Sequence, residues 1–288
     1  MSEAAKKLFI SQPSLSLAIK ELEKEVHITI FDRTTKGVHL TAEGEEFAGY
    51  ARQVLNQVEL LTDRYGSKEN IKKKFCVSCQ HYSFAVKAFV EMVKGFDLTR
   101  YQFAIKETRT AEVIEDVRDG ISELGILYLN DFNEKVLTKI MKDDDLQFTK
   151  LFTVRGYVYL YKDHPLAGKE KIELEQLQPY PCLTFEQGES NSFYFSEEIL
   201  PTYDFKKVIK TGDRATNLNL MVGLNAFTLC SGLICEELNG SDYVAVPLAD
   251  EDVFMDIGYI TRSHSRLSEI GTSYIEEIKK YVGNVLQE

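Results

Sequence analysis

Ser11-Gln12-Pro13-Ser14-Leu15-Ser16-Leu17-Ala18-Ile19-Lys20-Glu21-Leu22-Glu23 decides how the rest of the chain is read. Ser11 suits a helix N-cap, and Pro13 falls in the first turn, where a missing N–H costs little. Leu15, Ile19 and Leu22 recur at helical spacing, with Ser14, Ser16, Lys20 and Glu21 turned elsewhere. Just upstream, Ala4, Ala5 and Leu8 place small and apolar groups on one face of a short helix. Two short helices, a tight polar turn and hydroxyls at the start of the second helix fit a helix-turn-helix. In that motif the second helix lies in the DNA major groove.

Next outward, Ile28, Ile30 and Phe31 precede Asp32-Arg33-Thr34-Thr35-Lys36-Gly37, and Val38, Leu40 and Thr41 follow. Two apolar runs around a basic, Gly-containing turn read as a β-hairpin, or wing. Arg33, Thr35 and Lys36 are suited to phosphate. Ser11, Gln12, Pro13, Ser14, Ser16 and Lys20 are the remaining candidate DNA contacts.

Taken together, Ala4-Ala5, Leu8, Ser11 through Ser16, Ile19, Leu22-Glu23, Phe31-Asp32-Arg33 and Leu40-Thr41-Ala42-Glu43-Gly44 resemble the LysR-type transcriptional regulators. The resemblance extends in outline over the whole chain. Family members usually start about one helix earlier, so the winged domain is expected to be N-terminally shortened, with DNA binding compromised if that helix is missing. His27 stands where the family usually has Gly; a helix C′ position wants positive φ, which His tolerates. Leu17 stands where relatives often carry a polar or basic residue.

Composition sets bounds. The chain has 288 residues, 44% hydrophobic and 27% charged, which is ordinary for a globular protein with more than one domain. No apolar run approaches the roughly 20 residues that span a membrane, and there is no basic-then-apolar leader. Five scattered cysteines suit a reducing cytoplasm. The net charge of −11 argues superficially against nucleic acid, but only the DNA-facing surface must be positive. Acidic residues are interleaved with Lys6, Lys7, Lys20, Lys24, Arg33 and Lys36, so the motif, not the charge, carries the DNA reading.

Thr41 is placed to cap a long helix in which Phe47, Ala51, Val54, Val58, Leu61 and Tyr65 alternate steps of four and three. That is an a/d seam, expected to pair two copies of the chain along their length. A helix buried on its own domain is the alternative. Residues 66–70 read as a linker, which gives a boundary between 1–65, an incomplete winged helix-turn-helix plus dimerisation helix, and 74–288, an effector-binding domain.

Within 74–288, strands are expected at 75–78, 101–107 and 124–127, with helices at 83–95 and 111–118 between them. This order implies a parallel sheet with helices on both faces. Further strands are expected at 146–160, 181–185, 206–210, 226–230, 243–247 and 253–262, and helices at 192–200, 214–224 and 267–286. The fold class is α/β: a partial winged helix-turn-helix, a long linker helix and a two-lobed effector domain. Two lobes joined by two crossing strands resemble a periplasmic-binding-protein fold.

Ligands of open α/β sheets bind beyond the carboxyl ends of the strands. That rule selects Gln80, His81 and Tyr82 after the first strand, Thr108 after the second, and Thr184 and Arg214 in the second lobe. Backbone N–H groups at a helix start attract anions, and a guanidinium grips a carboxylate in two places. The expected effector is therefore a small polar or anionic metabolite. Thr228 reads as core.

Cys76 and Cys79 form a single C-x-x-C without the further ligands a structural zinc needs, and the Cys230–Cys235 spacing marks no peroxide-sensing subgroup. No metal or cofactor is expected. The chain lacks a P-loop, a G-x-S-x-G, an H-E-x-x-H and a dinucleotide glycine fingerprint, so an enzyme is not expected. The leading function is a cytoplasmic, ligand-responsive regulator, a homodimer or homotetramer with operator DNA as partner and no membrane role. The competing function is a cytoplasmic solute-binding module without competent DNA binding.

Overall fold

Ser11 caps its helix as expected. The computed structural model describes residues 4–5, 10–34, 37–65, 73–96, 100–188 and 192–285. In it, helix α1 (Gln12–Val26) starts from an extended Ser11, whose hydroxyl accepts a hydrogen bond from the Ser14 N–H at 3.2 Å. It stops at His27, which is left-handed at φ 58°. An antiparallel hairpin follows, β1 (Phe31–Thr34) and β2 (Gly37–Leu40), with Phe31 opposite Leu40. Glu23 joins the two pieces: its Oε1 accepts from the N–H of Ile30 at 2.8 Å and of Phe31 at 3.0 Å.

Thr41 caps α2 (Ala42–Tyr65), its hydroxyl accepting from the Gly44 N–H at 2.9 Å. Gly44 lies directly against the Ile30 carbonyl. A Cβ there would sit 2.1 Å from that oxygen, so any larger residue must displace the chain leading into the hairpin. These elements belong to the first of two compact units, Met1–Gly66; the second is Ser67–Glu288.

The second unit holds two sheets. The first lobe is built on β3 (Lys73–Cys79), β4 (Tyr101–Glu107), β5 (Leu124–Leu129), β6 (Leu146–Arg155) and β12 (Phe254–Arg262), in the spatial order β4-β3-β5-β12-β6. Strands β3, β4 and β5 are parallel, but β12 runs antiparallel to both β5 and β6. The sheet is thus mixed rather than parallel throughout, because β12 returns from the other lobe. Helices α3 (Ser83–Gly95), α4 (Thr110–Arg118), α5 (Glu134–Asp143) and the closing α9 (Glu269–Val285) pack on it. Phe75 of β3 meets Tyr274 of α9 with ring centroids 5.9 Å apart, and the Tyr274 hydroxyl donates to the Ala85 carbonyl of α3 at 3.1 Å.

The second lobe is built on β7 (Tyr157–Tyr161), β8 (Cys182–Phe185), β9 (Val208–Thr211), β10 (Phe227–Cys230) and β11 (Tyr243–Pro247), in the order β11-β7-β10-β8-β9. It carries α6 (Leu174–Leu177), α7 (Arg214–Leu224) and α8 (Glu236–Asn239). The two crossing segments touch at Gly156. Its N–H donates to Val253 O at 2.9 Å, and its carbonyl accepts from the Leu248 N–H at 3.1 Å.

Two expectations fail here. Helix α5 was not anticipated, although Leu137 and Met141 recur one turn apart and are both buried. The helix expected over 192–200 is only a 3-10 turn, Phe193–Phe195. The carbonyls of Phe195 and Ser196 face the first lobe instead, accepting from the Thr110 hydroxyl at 2.7 Å and the Tyr128 hydroxyl at 3.1 Å. Pro201 disfavours a right-handed helical Leu200, and Leu200 sits at φ 56°.

Candidate functional site

The chain after β3 turns into α3 through Gln80, His81 and Tyr82. Gln80 is fully buried and its amide serves the fold: Nε2 donates to the Thr110 hydroxyl at 2.6 Å, and Oε1 accepts from the Tyr82 hydroxyl at 2.8 Å. His81 lies flat on Phe185 of the other lobe, ring centroids 3.9 Å apart. Glu197 Oε2 accepts from both the His81 N–H at 2.9 Å and its Nδ1 at 2.8 Å. The anion expected at the start of α3 is therefore supplied by the chain itself. Burial works against the imidazolium, but the hydrogen bond and charge of Glu197 outweigh it, so His81 titrates above its ordinary range.

Two further ion pairs join the lobes. Arg214 opens α7 and faces Glu107 at the end of β4, with Nε 2.8 Å from Oε1 and Nη2 3.1 Å from Oε2. Arg109 precedes α4 and reaches Glu186 at 2.7 Å. Its guanidinium lies over Gly188, at φ 61°, where a Cβ would come within 2.6 Å of Nη1. The carboxylate that the sequence reserved for a ligand at Arg214 is thus Glu107.

Glu198, next to Glu197, is 3% exposed. Its Oε1 accepts from the Phe185 N–H at 2.8 Å and its Oε2 from the Ser196 hydroxyl at 3.0 Å. Burial, then the charge of Glu197, pushes its carboxyl up to about 8 against these two bonds.

Of these groups, His81, Phe185, Glu197, Glu198 and Arg214 wall a cavity of about 80 Å³ lined from both lobes. Of the six candidates, His81, Tyr82 and Arg214 line it. Gln80 stands behind it as support. Thr108 is turned away, its hydroxyl donating to Glu112. Thr184 lines a separate cavity of about 290 Å³ beside β8, with Gln187 and Glu198. Thr228, read from sequence as core, lines the inter-lobe cavity, and its buried hydroxyl has no hydrogen-bond partner among the described residues. Glu197 and Glu198 escaped the sequence reading because an acidic residue in a loop carries no mark of burial. The adjacency of Glu197 and Glu198 before Ile199-Leu200-Pro201 was the one available signal.

In the first unit, Ser11, Gln12, Pro13, Ser14 and Lys20 are exposed and Ser16 is half-buried along α1. The Ser11 hydroxyl is already the cap, and Gln12 Nε2 donates to the Ser16 hydroxyl at 3.1 Å. Leu17 is 59% exposed on the same helix. Thr35, Lys36, the linker at 66–70 and the side chains of Arg33 and Tyr65 lie outside the described residues. Along α2, Phe47 and Ala51 are half-buried, while Val54, Val58 and Leu61 are exposed. Cys76, Cys79, Cys182, Cys230 and Cys235 are free thiols. Among the described residues no helix is long and apolar enough to cross a membrane.

A capped helix and a hairpin, followed by two α/β lobes around a cavity, fit a DNA-binding regulator with a ligand-binding unit. The family described as "Bacterial regulatory helix-turn-helix protein, lysR family" matches residues 1–45, and "LysR substrate binding domain" matches residues 82–282. The chain belongs to the LysR family of transcriptional regulators. It is 23% identical over 275 residues to the uncharacterized HTH-type transcriptional regulator YbhD of Escherichia coli (strain K12), covering 93% of this chain and 82% of YbhD. It is 29% identical over 191 residues to the HTH-type transcriptional regulator AlsR of Bacillus subtilis (strain 168), covering 63% of this chain and 58% of AlsR. Full-length OxyR from Pseudomonas aeruginosa, in a variant form, shares the fold with a TM-score of 0.68 at 19% identity, over 96% of this chain and 91% of that one. Full-length BenM does so with a TM-score of 0.52 at 20% identity, over 99% and 92%.

Proposed function

We propose that this regulator binds operator DNA through α1 and the β1–β2 hairpin, and that a small-molecule effector held between its two lobes alters that binding. The observation that carries the effector reading is the buried, unpartnered hydroxyl of Thr228 in a cavity walled by both lobes. A buried polar group without a partner is uncommon in a folded protein and fits a position that a ligand completes. His81, Tyr82 and Arg214 complete the ligand-facing set, with Gln80 behind them. Thr108 and Thr184 do not line this cavity.

The mechanism is a population shift. A ligand that binds one lobe arrangement better than another favours it by the difference in affinity. The crossing segments that meet at Gly156 are the natural hinge. Self-association through α2 passes the change to the paired recognition helices, whose spacing sets which half-sites fit. The exposed apolar residues Val54 and Leu61 support a seam between two copies, a dimer or a tetramer built from it, acting in the cytoplasm.

The test is selection of duplex DNA from a random pool by the full chain at fixed salt. The expected result is enrichment of a site with two related halves, and a changed preference when Ser16→Ala or Lys20→Ala is used instead. A pool that stays random rejects the operator reading.

A further inference from the structure

Counting Glu107, which pairs with Arg214 from behind the wall, three carboxylates and two cations surround the cavity between the lobes. Glu197, Glu198, His81 and Arg214 are its carboxylate and cationic side chains. Both cations are engaged, His81 by Glu197 and Arg214 by Glu107. Among the described residues Glu198 has no cationic partner; it accepts from the Phe185 N–H, the Ser196 hydroxyl and its own backbone N–H. The titratable groups that feel its charge are Glu197, His81, Tyr82, Tyr128 and Cys182. Only His81 among them can be positive, and it bonds Glu197.

A carboxylate in such a wall either holds a proton or is stabilised by a cation brought to it. An anionic ligand meets the opposite situation, because Glu197 already bonds the start of α3 and Glu107 already neutralises Arg214, although the Arg214 Nε makes no hydrogen bond among the described residues. A second, independent feature points to a ligand here. The Thr228 hydroxyl, in a residue 7% exposed, lines the same cavity with no partner. Leu218, Met221, Leu229, Leu233 and Ile234 supply apolar wall between the polar groups. A volume of about 80 Å³, at about 10–15 Å³ per water-sized probe, has room for about five to eight atoms.

We propose that the inter-lobe cleft takes a compact alkylammonium ligand with a second polar group, its ammonium pairing with Glu198 and its polar end meeting the Thr228 hydroxyl. This assignment rests on the reading of the cleft as the effector site and names the chemistry of its occupant. Of the small polar or anionic metabolite expected from the sequence, it keeps the polar reading and sets aside the anionic one. Carboxylates and phosphates are disfavoured because His81 and Arg214 are already paired with Glu197 and Glu107, and a neutral diol of the same length fits but loses the ion pair.

Three probes of one length separate these cases: 4-aminobutanol, butane-1,4-diol and 4-hydroxybutyrate, titrated calorimetrically into the full chain at constant ionic strength. At about pH 8.5, 4-aminobutanol should bind roughly tenfold or more tighter than 4-hydroxybutyrate, a difference of about one pKa unit's worth of interaction. Glu198→Gln should abolish most of that preference, and Thr228→Val should weaken the diol as well. Wild-type protein supplies a check that needs no variant. Affinity for 4-aminobutanol should rise between about pH 6.5 and 8.5, as Glu198 loses its proton while an alkylamine, near the ~10.4 of a lysine side chain, keeps its own. Equal or tighter binding of 4-hydroxybutyrate, a preference undiminished in Glu198→Gln, a flat pH dependence, or no binding of 4-aminobutanol at high millimolar concentration each overturns the assignment. If the diol or the hydroxy acid binds and Thr228→Val weakens it, the ammonium assignment falls while the cleft remains the effector site.

Discussion

Glu197 Oε2 holds His81 by two bonds at once, 2.9 Å from its backbone N and 2.8 Å from its Nδ1, and so ties the start of α3 to the opposite lobe. The ring also stacks on Phe185. Replacing the imidazole removes the side-chain bond and the stack but leaves the backbone bond. His81→Gln should therefore cost about 1–3 kcal/mol of stability at pH 6 and less at a pH above the raised value, where the wild-type ring has lost its charge. The folded pKa is raised, so the clasp contributes fully below about pH 6.5 and is lost as pH rises through the raised value. Denaturant unfolding at the two pH values reads this difference. An equal cost at both would mean that the charge of His81 contributes nothing.

Glu198 titrates in the same sense. Its carboxyl is pushed up to about 8, so the folded state has no excess cost while the group is protonated in both states. The cost of ionising it in place grows from the ordinary carboxylate range up to about pH 8 and then levels off. The unfolding midpoint of the full chain should fall over that window, and Glu198→Gln should flatten the fall and stabilise the protein at pH 8 by a few kcal/mol, in order of magnitude. A midpoint that climbs with pH across the same range would contradict a buried, uncompensated Glu198.

The reach of the sequence stops where the lobes meet. Local signals were strong within elements: the Ser11 cap, the left-handed His27, and the helices Ser83–Gly95 and Arg214–Leu224 follow from side-chain chemistry and spacing. The segment 192–200 did not, because its carbonyls are spent on Thr110 and Tyr128 of the other lobe, partners that local propensity does not register. Arg214 was found by its position after β9, yet its partner Glu107 lies 107 residues away in sequence. The cavity was missed at Thr228 for a related reason. A threonine in an apolar strand looks like core until the absence of a partner for its hydroxyl is seen.

The α2 seam makes a prediction about assembly. Val54 and Leu61 are 62% and 59% exposed on a helix of 24 residues. Replacing both with Asp places charge in an apolar interface, where an unpaired ion is strongly disfavoured. Sedimentation should show a smaller species than wild type at equal concentration, with secondary structure retained. An unchanged oligomer would move the interface elsewhere.

On α1, Lys20 is exposed and Ser16 half-buried two turns from the cap. A base contact from either is worth about 1–3 kcal/mol of discrimination. Ser16→Ala and Lys20→Ala, scored against a selected site and its single-base variants, should change the order of preference. If Lys20 instead touches phosphate, all sequences weaken together and the salt slope falls by about one unit. Binding unchanged in both respects would remove Lys20 from the interface.

Thr228 bears the proposed effector site most directly. Its hydroxyl is buried beside the inter-lobe cavity with nothing to bond among the described residues, and the proposed effector would be its partner. The measurement is calorimetric titration of the tightest hit from a metabolite thermal-shift screen into wild type and into Thr228→Val, which preserves the side chain's shape. The predicted result is a loss of about 0.5–1.5 kcal/mol of affinity in the variant, more if a ligand group is left buried and unpaired. The same affinity in both proteins would place the effector outside this cavity and contradict the account.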